Sequence, residues 1–172
     1  AKTDEVVNTF TYGDINIDLW ETKDGLHTES RLTENGYVVN ARSDLKIIPG
    51  VDLPKDPTVT VKANSEACWL FVKVQEENWP TFKETNGTNK ISYAIANGWT
   101  ALDGVAGVYY CEVGASTDDT SFYILAGDET HSHGVVKVSE NLTKTEVNSI
   151  TTQPKLTFTA YAVEKDGIAD AA

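Results

Sequence analysis

From Ile15 onward the chain repeatedly alternates apolar with polar residues, and that period of two most narrows what it can become. Ile15, Ile17 and Leu19 alternate with Asn16, Asp18 and Trp20, and Val59 and Val61 with Thr58, Thr60 and Lys62. Cys68, Leu70, Val72 and Val74 put one apolar face on a longer run. Leu156, Phe158, Ala160 and Ala162 do the same near the end, between Thr157, Thr159 and Tyr161. Shorter runs lie at Ile91–Ile95, Val108–Val113, Phe122–Leu125 and Val135–Val138. These runs are rich in Val, Ile, Thr and aromatic residues and are bounded by Gly, Pro and Asp. That pattern predicts an all-β protein built as an antiparallel β-sandwich. Helix is confined to one or two short pieces at the sandwich edge. One is Lys144–Ile150, with Thr143 as N-cap and Glu146 three residues on in a capping box; the other is a turn over Glu77–Phe82.

A chain of 172 residues, 40% hydrophobic and 23% charged, fits one domain with a real core. Its 14 basic residues face 26 acidic ones, a formal net charge of -12. Nucleic acid needs clustered Lys and Arg for its phosphates, and an anionic membrane surface needs the same, so neither is an expected partner. No apolar run reaches the length of a membrane span. The small residue at position 1 fits a chain cut after a small-residue signal-peptidase site, which points to a secreted, extracellular protein.

The residues offer little chemistry. His131-Ser-His133 could share an ion if both side chains left one face of a strand, but the run DETHSHG reads more simply as a polar turn, and His27 is far away. Asp118-Asp119 and Asp128-Glu129 lack the spacing of a calcium loop and read as solvated charges. Asn86-Gly-Thr88 and Asn141-Leu-Thr143 match the short glycosylation sequon. No H-E-x-x-H and no G-x-S-x-G is present. Trp69, Trp79 and Trp99 suit packing, or carbohydrate stacking if exposed. No catalytic residue, metal ligand or cofactor is therefore expected. Cys68 and Cys111 each lie within a strand-like run. They are either two small buried hydrophobes on neighbouring strands or, as the secreted compartment favours, a disulfide worth about 3–4 kcal/mol. A Cys68–Cys111 bond within one subunit is the expectation.

The stretch NTFTYGDINIDLW, residues 8 to 20, leaves a choice open. Gly13-Asp14 can close a tight II′ hairpin between Val6–Tyr12 and Ile15–Leu19, or Gly13 can be a hinge that sends the first strand away.

Several blocks together resemble the TasA/camelysin family of secreted proteins exported with a SipW-type signal peptide. These are TFTYGDINIDL at Thr9–Leu19, and SDLKIIPGVDLPKDPTVTV at Ser43–Val61 with Pro49-Gly50 and Lys55. SEACWLFVKVQ at Ser65–Gln75 and the closing KLTFTAYAVEKDG at Lys155–Gly167 complete the set. The middle region, Glu76–Asn148, contributes least. The resemblance implies a jelly-roll-like sandwich and an extracellular matrix or pilus-like filament. It also implies assembly by donor-strand complementation, each N-terminal strand filling a groove in the next identical subunit. Head-to-tail donation does not close, so it builds a homopolymer. On that reading residues 1–12 are the donor strand, Gly13 is the hinge and 13–172 form one sandwich domain. Val6, Phe10 and Tyr12 share one face with Asn8, while Val7 lies opposite with Glu5, Thr9 and Thr11. The alternative is a monomeric secreted surface module that binds carbohydrate or protein through edge loops. A metal-dependent hydrolase around His131 and His133 comes third.

Overall fold

The structure, a computed structural model, describes residues 15–23, 26–29, 38–42 and 45–165. The donor-strand residues Val6, Val7, Phe10 and Tyr12 and the hinge Gly13 lie outside them. Twelve strands and one short helix follow in order among the described residues: β1 Ile17–Lys23, β2 Leu26–Glu29, β3 Val38–Arg42, β4 Leu53–Pro54, β5 Thr58–Val61, β6 Cys68–Glu77, β7 Ile91–Ser92, β8 Thr100–Ala101, β9 Val108–Val113, β10 Thr120–Tyr123, β11 Val135–Val138, α1 Lys144–Ser149 and β12 Lys155–Glu164. They form a four-stranded sheet β10-β5-β1-β2, a five-stranded sheet β3-β12-β6-β9-β8 and a small sheet β4-β11-β7. All pairings are antiparallel. The all-β expectation holds.

The alternation does what its period demands. Along β12 buried and half-buried residues alternate without a break, so that Leu156, Phe158, Ala160, Ala162 and Glu164 face inward. On β6 the inward set is Cys68, Leu70, Val72 and Val74. Ile15, Ile17 and Leu19 of the β1 segment and Val59 and Val61 of β5 join them in one apolar cluster. The larger two sheets therefore pack face to face over a shared core, sandwich-like. Phe158 is fully buried there. Cutting it to alanine is expected to cost about 3–5 kcal/mol.

Two sequence readings differ from the structure. Glu77–Phe82 is not a helical turn: β6 runs on to Glu77, and Asn78 then takes a positive φ of 53° before an irregular stretch through Pro80. A left-handed residue followed by a proline two positions on cannot begin a helix. The Cys68–Cys111 bond is also absent, since both residues are free thiols. The register gives the reason. Cys68 stands opposite Val113 and Cys111 opposite Leu70, so the two are diagonal neighbours on one face. A diagonal pair is separated by about 7–8 Å, beyond the usual Cα span of a disulfide. Burial pushes the Cys68 thiol up to about 12, with Cys111 nearby adding to it, and pushes Cys111 up to about 11.

The predicted helix is present as α1. Thr143 Oγ1 accepts from the Glu146 N–H at 3.1 Å, and the Thr143 N–H donates to Glu146 Oε1 at 2.9 Å, the reciprocal pair of a capping box.

Candidate functional site

Three polar groupings stand out from the apolar frame. The first lies inside it. Glu21 continues the inward series Ile15, Ile17, Leu19 on β1, and its Oε1 meets Lys55 Nζ at 2.9 Å; both residues are buried, 4% and 1% exposed. The Lys55 ammonium also lies 5.3 Å from the centre of the Phe158 ring. Its backbone is held by β11, through an N–H bond to the Gly134 carbonyl at 3.1 Å. A Cβ at Gly134 would come 1.9 Å from the Lys55 carbonyl oxygen, so only glycine allows that approach. Lys55 thus ties residues of all three sheets together. Two charges removed from water this completely cost several kcal/mol each unless matched, so the pair specifies register more than it adds stability.

The second grouping lies at the surface beside β11. Asp128 Oδ1 accepts from the Thr130 N–H (3.0 Å), the Thr130 hydroxyl (3.2 Å) and the His131 N–H (2.7 Å), and lies 3.0 Å from His131 Nδ1. Its Oδ2 meets Lys137 Nζ at 2.7 Å, and Lys137 reaches Asp52 Oδ2 at 3.0 Å on its other side. Asp52 Oδ1 accepts from the Val138 N–H at 2.9 Å. Lys137, with the hydrogen bonds from His131 and Thr130, holds the Asp128 carboxyl well below the usual range. The Val138 N–H, then Lys137, lowers Asp52. In return Asp128 and then Asp52 raise Lys137. A shallow polar cleft of about 360 Å³ adjoins this network, lined by Asp52, Glu84, Lys90 and Lys137 among others. Its lysines are already matched, Lys90 by Glu146 at 2.8 Å. It offers an anion no uncommitted cation.

The histidine pair separates. The His131 ring is engaged by Asp128 and Thr130, whereas the His133 ring stacks on Tyr123 with centres 4.1 Å apart. Among the described residues no group of three or more His, Cys, Asp or Glu side chains is placed to hold a metal ion. Asp119 caps the Ala63 N–H at 2.7 Å and pairs with Lys62 at 3.1 Å, so it serves the turn after β5.

The tryptophans are packing residues. The indole N–H of Trp79 donates to the Ile91 carbonyl at 3.3 Å and that of Trp99 to the Tyr123 carbonyl at 2.9 Å. Trp69 lies on the outer face of the five-stranded sheet, edge-on to Tyr110, with Lys165 Nζ 5.6 Å from its ring. Beside it Phe71 and Tyr161 stack on each other, centres 4.9 Å apart. Rings that use their faces on one another leave little for a sugar to stack on.

The third grouping is at the far end of the sandwich from Lys55. The Asn16 N–H donates to Ser65 Oγ at 3.1 Å, and the Asn16 carbonyl accepts from the Lys62 N–H at 2.8 Å. The Lys165 N–H donates to the Ala67 carbonyl at 3.1 Å. Both the start of β1 and the end of β12 therefore hang on the connection between β5 and β6. Here Glu164 is buried on the inward face, 8% exposed, opposite Cys68. Its Oε1 is buried and has no hydrogen-bond partner among the described residues, and the same is true of the Trp69 indole nitrogen.

Among the described residues, main-chain groups at this end also lack partners. The Lys165–Ala67 bond assigns the odd-numbered main-chain groups of β12 to β6, so Ala160, Ala162 and Glu164 point toward β3. The register with β3 is described as far as Ala160–Val38. Beyond it, among the described residues, Ala162 and Glu164 face no strand. Neither the carboxylate nor this edge was readable from the sequence; the single polar residue ending an apolar series, Glu164 after Ala162, was the available sign.

No helix among the described residues is long and apolar enough to cross a membrane. No family model, no curated protein and no solved structure matches the chain.

Proposed function

We propose that this protein is a structural subunit of an extracellular filament, a jelly-roll-like sandwich that polymerises by strand donation. In this reading residues 1–12 leave their own domain at Gly13 and lie along an open edge of the next subunit, and no catalysis is involved. The observation that carries it is the end of the sandwich around Glu164. There, among the described residues, the main-chain groups of Ala162 and Glu164 face no strand and a buried carboxylate oxygen has no donor. An unpaired edge invites another chain, and a strand added there satisfies backbone groups on both sides. The chain enters β1 at this same end, through Ile15 and Asn16, so the segment before it starts beside the edge it would fill in a neighbour. Val6, Phe10 and Tyr12, all on one face, would each gain roughly 1.5–3 kcal/mol on full burial. The resemblance of Thr9–Leu19, Ser43–Val61, Ser65–Gln75 and Lys155–Gly167 to a fibre-forming family supports the same reading.

Electron microscopy of the concentrated full chain should show filaments of regular pitch. Protein lacking Ala1–Thr11 should stay folded and monomeric, fail to polymerise, and bind a synthetic Ala1–Tyr12 peptide. Normal filaments from the shortened protein would refute strand donation.

A further inference from the structure

The hairpin between Lys83 and Asn89 holds a small reactive arrangement that the filament reading does not use. The Glu84 N–H donates to the Thr88 carbonyl at 2.8 Å and the Gly87 N–H to the Glu84 carbonyl at 2.9 Å, leaving Thr85, Asn86 and Gly87 as a three-residue tip. Gly87 has a φ of +89°, the left-handed geometry that such a tip requires. Asn86, Gly87 and Thr88 are all exposed. The Asn86 side-chain carbonyl accepts twice from Thr88, from its N–H at 3.0 Å and its hydroxyl at 2.7 Å. The first bond reaches two residues along and so closes an Asx turn around the Asn86–Gly87 peptide, whose nitrogen is the attacking group in the step below. At Gly87 an added Cβ would meet nothing within 4 Å, so the space around that peptide is open. Two donors on one carbonyl oxygen are also the arrangement that stabilises charge developing there during nucleophilic attack.

We propose that Asn86 is a self-modification site, converted by backbone-assisted deamidation that Thr88 promotes. The Gly87 nitrogen gives its proton to solvent base and attacks the Asn86 side-chain carbon, forming a carbon–nitrogen bond. The oxygen becomes an oxyanion held by the two Thr88 donors. The bond to the side-chain nitrogen then breaks, and ammonia leaves after taking a proton from solvent, which leaves a five-membered succinimide. Water adds to either ring carbonyl and opens it to aspartate or isoaspartate at position 86. One water enters, one ammonia leaves, and nothing is oxidised or reduced. The bond from the Gly87 N–H to the Glu84 carbonyl opens before the attack, as a fast equilibrium that precedes the oxyanion step. The product adds a carboxylate to a chain already at -12. The isoaspartate form would put an extra backbone carbon into the hairpin tip.

The molecule contains its own control. Asn97-Gly98 is equally exposed, and Gly98 has a φ of +101° with nothing near an added Cβ, but no pair of donors among the described residues meets the Asn97 carboxamide. The test is incubation of the full chain in mildly alkaline buffer, with peptide mass spectrometry at both asparagines over time. Position 86 should convert ahead of position 97. Thr88→Val should slow it roughly 3- to 10-fold, the worth of one neutral hydrogen bond, and leave position 97 unchanged. Gly87→Ala should suppress it, with circular dichroism confirming an intact fold. Faster or unaltered conversion in Thr88→Val would show that Thr88 protects Asn86 or is irrelevant to it. Either result, undiminished conversion in Gly87→Ala, or earlier conversion at position 97 would overturn the proposal.

Discussion

Two glutamates end apolar series on the inward faces of their strands, Glu21 on β1 and Glu164 on β12, at opposite ends of the sandwich. Glu21 meets an equally buried ammonium at 2.9 Å, anchored by β11 and resting on Phe158. Glu164 has one oxygen that, among the described residues, is buried without a donor, beside main-chain groups that face no described strand. The residue type, the facing and the burial are alike; the surroundings are not. A matched buried charge fixes how sheets sit together, whereas an unmatched one is a standing cost that a partner can relieve. One end is matched by its own residues; at the other, among the described residues, the carboxylate has no donor.

The comparison can be broken most forcefully at Lys55. Lys55→Met leaves Glu21 buried without its ammonium and should lower unfolding free energy by about 3–5 kcal/mol in urea titration. Glu21→Leu combined with Lys55→Met should recover most of that loss. If the single substitution is harmless, the closed end is not closed by this pair.

Glu164 should respond the other way. Glu164→Leu removes an unpartnered buried oxygen and should stabilise the subunit by about 1 kcal/mol, read as a higher denaturant midpoint at an unchanged slope. Destabilisation would mean that the carboxylate is satisfied within the free subunit, and the contrast would fall.

The exposed network beside β11 should matter less, and its contribution is the part lost in acid. Asp128 and Asp52 are held below the ordinary aspartate value of 3.8. Their contribution is complete above that value and is lost as pH falls below it toward the lowered folded values. Lys137, held above 10.5, loses its share only as pH rises past that point. Asp128→Asn should flatten the stability profile in the acid window, lowering neutral stability by the same small amount that the unaltered protein loses in acid through this group.

The smallest effect concerns the cysteines. Unfolded, unreduced protein should show two reactive thiols, while the native protein labels slowly because burial holds both thiols above their usual range. Two blocked thiols would mean that the diagonal pair can shift into bonding distance.

What the sequence made legible was whatever depends on near neighbours. The alternation at Cys68–Val74 and Leu156–Ala162 located β6 and β12, and Thr143 with Glu146 located α1, because pleat and cap are set within a few residues. The reading failed where a residue's surroundings come from far along the chain. Lys55 sits in a run of prolines and acids, KDP, that looks like a surface turn. Only the approach of Gly134 and β1 makes it one of the largest fully buried side chains among the described residues. Thr58 and Thr60 read as the wet side of a strand, yet both are buried. Thr60 Oγ1 accepts from the Trp20 indole N–H at 3.0 Å and lies 2.8 Å from Ser121 Oγ. The cysteines were misjudged for the same reason. Their strands do neighbour each other, but register between β6 and β9 is a tertiary quantity that slips by two without any local sign.

The longest ladder in the molecule joins β6, in the middle of the chain, to β12, at its close, through ten consecutive residue pairs. A contact so distant in sequence carries a large loop-closure cost before it returns anything, so folding should be slow compared with a chain of local hairpins. It also cannot begin while Lys155–Glu164 is still being synthesised or threaded through a pore. Until then β6 has β9 on one side and nothing on the other. The newly made chain therefore stays pliable until β12 arrives, and anything that delays that strand leaves one edge of β6 unpaired for longer.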